Sequence, residues 1–252
     1  MDFETRQLQQ YLRDADQLPE IVMLKPTTTS TNDDVKALAS KGVQSILICS
    51  EQQTQGRGQQ RRSWISPQGN IYLSALLNLN LPVDGRLALE IALNILQMPS
   101  LQHLDLQIKW PNDLYHEHKK WGGILVEPLS PQQVVIGVGI NLHPITADDL
   151  EQQTSSLAEL GLNSADRIRL IAELYLAIQR AGEWFNFNCY NLATRFNHYA
   201  AFMHKTVCFQ HTQGEVVGEF IGIQNDGAIQ IINAQGLNVF YQGRMRYQPD
   251  SQ

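Results

Sequence analysis

The sequence is short of positive charge. Its 19 lysines and arginines stand against 25 aspartates and glutamates, a formal net charge of −6. A protein that lives on nucleic acid needs a cationic footprint to neutralise many phosphates, so that class is disfavoured and any phosphate bound here is expected to be small. Cysteine is scarce too. Cys49, Cys189 and Cys208 are an odd number at wide spacing without a metal-ligand pattern, which argues against disulfides and zinc and fits free thiols in a reducing compartment. No apolar run approaches the ~20 residues of a membrane-spanning helix. The polar start MDFETRQLQQ has no signal-peptide core. The expectation is a cytoplasmic protein with no membrane partner.

What is present suits a folded chain. Of 252 residues, 43% are hydrophobic and 17% charged, enough for one large domain and a small second one. Apolar periodicity predicts a short helix within Asp2 to Arg13, a strand from Ile21 to Leu24, and a helix carrying Val35, Ala37 and Leu38. Strands over Ser45 to Cys49 and Asn70 to Leu77 precede a buried helix over Leu87 to Leu96. A strand from Leu104 to Lys109 runs into KWPNDLY, where Pro111 restricts Trp110 to an extended conformation. His116 to Lys120 reads as a polar hairpin tip with two solvated histidines, and Val134 to Leu142 as an apolar strand. A long amphipathic helix spans Asp166 to Phe185 and a second follows from about Cys189 to Tyr199. Beyond His204, short alternating segments punctuated by glycine read as a small β-barrel.

The stretch richest in chemistry is Ser50 to Pro67, SEQQTQGRGQQRRSWISP. Between Cys49 and Trp64 it has no large apolar residue with which to anchor itself, so Thr54 to Ser63 is expected to be mobile until a ligand arrives. Gly56 and Gly58 flank Arg57, letting backbone N–H groups approach an anion that the guanidinium meets with two prongs. A solvated surface loop would read the same way. Ser30, Thr31 and Asn32 stand where a strand gives way to a helix N-terminus, a place with free donors, although ordinary capping explains them equally well. Counting alternate residues from Lys120 puts Ile124 and Val126 on its side and Trp121, Leu125 and Glu127 on the other. Gly122, Gly123, Gly137 and Gly139 mark places where a ligand or another backbone could lie close.

Taken in order, STN, QxxGRG with RSW, KWPNDLY, KWGGILVE and GVGIN closely resemble the biotin-protein ligases in their monofunctional form. The resemblance runs from about Ser30 to Asn141. It implies an α+β fold, with a mixed-sheet catalytic domain of the biotin/lipoate ligase type over residues 1–203 and a small C-terminal SH3-like β-barrel over residues 204–252. It also implies an activity: ATP-dependent conversion of biotin to biotinyl-5'-AMP, then transfer of the biotinyl group to a lysine of the biotin carboxyl carrier protein of acetyl-CoA carboxylase. By resemblance, Ser30, Thr31, Asn32 and Gln53 hold the ureido head of biotin, and Gly56, Arg57 and Gly58 close over the adenylate. Lys120 sits between the biotin carboxylate and the α-phosphate. Arg62 and Asn112 contact phosphate, Trp64 and Asn141 lie on the adenine side, and Lys109 is a further ATP-binding residue. Asp113 holds Mg²⁺ or orients the incoming lysine; with Lys120 and Arg57 it completes the implied catalytic set.

Two departures from the family pattern stand out. The loop reads GRGQQRRSW where the family commonly has GRGRxGRxW, so Gln59 and Arg61 replace an arginine and a glycine and weaker retention of the adenylate is expected. The ending GRMRY also departs, and no nucleotide contact is assigned to Arg244 or Arg246. Only about 29 residues precede STN, too few for a helix-turn-helix module, so no DNA partner is expected. A homodimer paired through an edge strand at Val134 to Leu142 is compatible with the sequence, as is burial of that strand within one monomer. Competing readings are a lipoate-type ligase of the same fold, a biotin-responsive binding protein without catalysis, and a nucleic-acid-binding module.

Overall fold

Apolar residues alternate or run continuously in short segments, separated by amphipathic helices, and the chain folds accordingly into two sheets with helices between them. The computed structural model describes residues 2–145, 152–162 and 166–248, and at Arg61 the backbone alone. In chain order the first part comprises α1 (Phe3–Asp14), β1 (Ile21–Lys25), α2 (Thr31–Ala39), β2 (Ile46–Ser50), β3 (Ile71–Asn78) and α3 (Arg86–Leu96). Then follow β4 (Gln107–Lys109), β5 (Asp113–His116), β6 (Lys119–Pro128) and β7 (Gln133–Ile140). Two helices, α4 (Arg167–Asn186) and α5 (Leu192–Tyr199), lead to β8 (Thr206–His211), β9 (Gly214–Ile223), β10 (Ile229–Asn233), β11 (Gly236–Phe240) and β12 (Arg244–Tyr247).

The seven strands β1 to β7 form one mixed sheet in the order β1-β2-β3-β7-β6-β5-β4, with β1 and β2 parallel and every other pair antiparallel. Its centre is apolar on both sides. Leu47, Leu73, Ala75 and Ile136 join the large core with residues of α3 and α4, while Ile46, Ile48, Leu76 and Val135 pack with Val35 of α2. Such two-sided burial is why these strands read as near-continuous hydrophobic runs rather than clean alternations. Asp2 caps α1 by accepting from the Thr5 N–H at 2.7 Å, and Asp166 caps α4 through Ile168 and Arg169.

Two expectations are corrected. Strand β7 lies between β3 and β6, so its edges are satisfied within the chain and Val134 to Leu142 offers no dimer edge; the sheet ends at β1 and β4. The strand expected from Leu104 covers only Gln107–Lys109, because a 3₁₀ turn and bends occupy the residues before it. The loop without apolar anchors folds back on itself through backbone hydrogen bonds, Gly58 N–H to Arg62 O at 2.8 Å and Trp64 N–H to Gly56 O at 2.9 Å. Polar groups supply the anchorage that apolar ones do not.

Strands β8 to β12 form an antiparallel sheet in the order β11-β10-β9-β8-β12 around Val207, Phe209, Phe220, Ile229, Ile231 and Met245. Among the described residues no pairing of β11 with β12 closes it into the expected barrel. This sheet is fastened to the larger one. Trp110, followed by a cis peptide to Pro111, donates its indole N–H to Gly227 O at 3.0 Å and sets its ring 5.7 Å from Phe209. His118, expected to be solvated, stacks on Phe202 and Tyr247 at 5.3 and 4.8 Å.

Candidate functional site

Between the glycines of β6 and β7, the loop before Trp64 and the strand β12 lies a cavity of about 450 Å³. Its polar end is built from the start of α2. Ser30 makes no side-chain cap for that helix; its hydroxyl accepts from Arg57 Nη1 at 2.9 Å, so the capping alternative does not describe it. The Thr31 backbone N–H and hydroxyl both donate to Gln53 Oε1, at 2.9 and 3.1 Å. Asn32 donates from Nδ2 to Glu127 Oε2 at 2.5 Å, and the hydroxyl of buried Ser74 lies within reach of both Thr31 Oγ1 and Asn32 Oδ1. Buried polar groups tied to one another in this way are fixed in orientation before any ligand comes.

Arg57 closes the loop over that end. Its guanidinium meets Asp33 of α2 at 2.6 and 2.9 Å and Glu127 of β6 at 3.0 and 3.2 Å. The loop itself has no acid after Glu51, but the fold supplies two carboxylates from elsewhere. The Asp33 hydrogen bonds raise the arginine's pKa further, with burial opposing and Glu127 adding to the rise. For Glu127, burial would raise the pKa, yet hydrogen bonds from Arg57, Asn32 and Lys36 outweigh it and hold the carboxyl below its ordinary value. Gly56 does not line the cavity: a Cβ there would run into Ser66 and, at 2.5 Å, the Trp64 carbonyl, so its smallness closes the loop. Gly58 and Arg62 do line it.

Trp64 lies against paired glycines. Gly123 and Gly139 are cross-strand partners, and a Cβ on them would stand 3.1 and 2.8 Å from the indole. Lys120 Nζ sits 4.8 Å from the same ring's centroid and 2.5 Å from Asp113 Oδ1. The other Asp113 oxygen is 3.7 Å from Lys109 Nζ. Burial pushes the Lys109 ammonium below its ordinary pKa; Asp113 opposes the shift, while Lys120 and Arg244 add to it. The two ammonium groups and one carboxylate make the cavity's cationic end. Asn112 also lines the cavity, but its Nδ2 is spent on Ile124 O at 2.6 Å, tying the KWPND turn to β6. Asn141 donates to Ser155 O at 3.0 Å, and among the described residues its Oδ1 and the Trp64 Nε1 are buried without a partner.

The Mg²⁺ expectation at Asp113 does not fit these residues. A hard divalent cation wants free carboxylate oxygens, and both oxygens of Asp113 face lysines. Among the described residues no group of three or more His, Cys, Asp or Glu side chains could hold a metal.

Two contributors escaped the sequence, Glu127 and Ser74, and a third, Arg244, is legible there only as an arginine able to reach across the domain junction or equally to stay solvated. The count of alternate residues placed Glu127 opposite Lys120, but pairing in β5 and β6 shifts between Leu114 and Tyr115, leaving Trp121 without a partner in β5. That bulge inverts the alternation, so Lys120 shares its face with Gly123, Leu125 and Glu127 while Trp121 and Ile124 enter the core. Arg244, with Gly243 and Met245, brings β12 into the cavity wall. Nothing in the spacing of GRMRY signals this.

Residues 23–141 match the model of the biotin/lipoate A/B protein ligase family. The chain is 31% identical to the bifunctional ligase/repressor BirA of Escherichia coli K12 over 221 residues, 82% of this chain and 68% of that protein. It is also 31% identical over 172 residues, 64% of each chain, to a biotin–acetyl-CoA-carboxylase ligase of Mycobacterium tuberculosis. A solved structure of biotin protein ligase from Aquifex aeolicus in complex with biotin and ATP shares the fold with a TM-score of 0.77 at 21% identity, covering 91% of this chain and all of that one.

Proposed function

The chain belongs to the biotin/lipoate A/B protein ligase family, and from that premise we propose that it activates biotin with ATP and transfers the biotinyl group to a lysine of a biotin carboxyl carrier protein. The observation that carries this reading is one cavity with two chemically distinct ends. At one end stand the fixed amides and hydroxyls of Thr31, Asn32 and Gln53, suited to a neutral polar head; at the other stand Lys120 and Lys109, suited to anions. About 450 Å³ lies within the usual range for a small-molecule site.

In the first step a biotin carboxylate oxygen attacks the α-phosphorus of ATP, the bond from that phosphorus to the bridging oxygen breaks, and pyrophosphate leaves with the electron pair. Two anions must meet, and like charge opposes them. Lys120, positioned by Asp113, would neutralise the carboxylate and the phosphoryl oxygens as charge builds, a contribution on the order of 3 kcal/mol. Trp64 would shield the reacting atoms from water, with Asn141 on the adenine side and Arg62, Lys109 and Arg244 toward the phosphates. Arg57 and Gly58 would hold the loop shut over the mixed anhydride. In the second step the carrier's lysine amine attacks the acyl carbon, AMP leaves, and the amine gives up a proton. Mg²⁺ enters this reading only as the counter-ion of ATP, since the protein groups do not fit a metal cage.

The division into a catalytic part, residues 1–203, and a C-terminal part, residues 204–252, goes with this reading, as does a cytoplasmic location, where ATP and the carrier are found. Among the described residues no helix is long and apolar enough to cross a membrane. The test is exchange of labelled pyrophosphate into ATP, with biotin and with lipoate, in the wild-type chain and in Lys120→Ala. Exchange that requires biotin and collapses in the variant supports the reading. Wild-type exchange with neither acid would sink it, and exchange with lipoate alone would reassign the substrate.

A further inference from the structure

Glu127 touches neither the cavity nor any reacting group, yet three side chains from two functional elements, α2 and the GRG loop, converge on its carboxylate. Asn32 Nδ2 reaches it at 2.5 Å from the polar floor, Arg57 at 3.0 and 3.2 Å from the loop, and Lys36 at 2.9 Å from α2. Asn32 and Lys36 lie one turn apart on α2 while Arg57 comes from the distant loop; Lys36 and Arg57 meet again at Asp33, but Asn32 and Arg57 share a carboxylate only at Glu127 among the described residues. Asp33 offers a comparison: it binds the same Arg57 at 2.6 Å, with no hydrogen bond to Asn32.

Building on the ligase reading, we infer that Glu127 is a positioning residue that couples the ureido-binding floor to closure of the GRG loop. The carboxylate sets which way the Asn32 amide points, because only the NH₂ end can face it, and the same two oxygens fix the arginine that latches the loop. A ligand that strengthens the Asn32–Glu127 contact steadies the acceptor on which Arg57 closes, and a loop that opens takes a counter-charge away from the group orienting Asn32. Pocket and loop share one anchor, so each feels the state of the other.

The experiment compares Glu127→Gln with Asp33→Asn, reading the biotin KM in pyrophosphate exchange, the rate at which preformed biotinyl-AMP leaves the protein, and the melting temperature. Glu127→Gln keeps the shape and removes the charge, and it should raise both the biotin KM and the release rate, each on the order of tenfold. Asp33 is 55% exposed against 22% for Glu127, so Asp33→Asn should raise the release rate by less and leave the biotin KM alone. A purely structural role would lower the melting temperature of both variants and shift KM and release in Asp33→Asn as it does in Glu127→Gln, whereas the coupling moves both quantities only in Glu127→Gln, with the melting temperature held. If the two variants shift both quantities in the same proportion, the coupling is overturned while the ligase reading stands. Wild-type exchange is measured first, since its absence refutes that reading and the inference with it. Should Glu127→Gln not fold, Asn32→Ala serves, read without ligand by limited trypsin cleavage at Arg57 and Arg62: faster cleavage of the loop than in wild type supports the shared anchor, and an unchanged rate overturns it.

Discussion

Gly139→Ala isolates what the glycine pair beneath Trp64 does. Gly139 has no left-handed φ, so an alanine fits its backbone and the effect is one of contact alone. The added Cβ would stand 2.8 Å from Cε2, Cζ2 and Nε1 of the indole. Ordinary carbon contacts begin near ~3.5 Å, so the ring must rise by roughly 0.7 Å. Lys120 Nζ lies 4.8 Å from the ring centroid, and the backbone of Trp64 is held by the Gly56 carbonyl at 2.9 Å. The ring therefore moves into the cavity. Overpacking of this kind costs about 1–3 kcal/mol. Since Trp64 sits on a loop, the strain falls on the site rather than on the β3–β7–β6 core. At 1.36 kcal/mol per factor of ten, the KM for biotin or ATP should rise about 5- to 160-fold with the melting temperature almost unmoved. The assay is pyrophosphate exchange titrated with each substrate, beside a thermal melt, in Gly139→Ala with and without Trp64→Ala. In the Trp64→Ala background the alanine has nothing to strike, and its penalty should vanish. An equal penalty in both backgrounds, or none in either, would refute the steric account.

Other expectations follow from the charges. Asp113→Asn removes the carboxylate that opposes the burial-driven fall of the Lys109 pKa, so that pKa falls further and the basic limb of the exchange rate should move to lower pH, with kcat reduced at least about tenfold; a basic limb that stays put would contradict this. Gln59→Arg restores a charge that the family pattern has and should slow the release of biotinyl-AMP, measured by rapid gel filtration; an unchanged rate would show that Gln59 does not limit retention. Glu127 has a depressed pKa in the folded chain, so its stabilising contribution is complete above the ordinary carboxyl value of 4.5 and is lost as pH falls through the lower folded value. Acid melts of wild type and Glu127→Gln should therefore converge below that window, and curves that stay parallel would mean the carboxylate is not the linked group.

Much of the site was legible because its chemistry is packed into short contiguous motifs. Ser30 to Asn32, Gln53, Arg57 and Lys120 are ambiguous one by one, but their motifs in order carry the family resemblance, and one cavity gathers them. The seven-stranded sheet was legible for a similar reason, since two-sided burial writes itself as apolar runs in β2, β3 and β7. What failed was anything decided by pairing. Alternation along β6 predicted the wrong face for Glu127 because one unpaired residue, Trp121, inverts the count, and no local signal marks a bulge whose cause lies in β5. The edge role weighed for β7 failed likewise, since a strand's neighbours are set by topology. Arg57 looked unpaired because its acids come from α2 and β6, and Arg244 looked peripheral because only the docking of the smaller sheet brings β12 to the cavity.

That docking has a thermal consequence. With Gly243, Arg244 and Met245 in the cavity wall, and one indole bond from Trp110 to Gly227 among the fastenings, the site is complete only while the smaller sheet stays seated. Native proteins open in cooperative pieces of unequal stability, and a five-stranded sheet with open edges is the weaker piece here. On heating, turnover should cease when that piece departs, at a temperature where amide protons of β3 and β7 are still protected from exchange with solvent. The working lifetime of the enzyme would then be set by its last forty-odd residues rather than by its core.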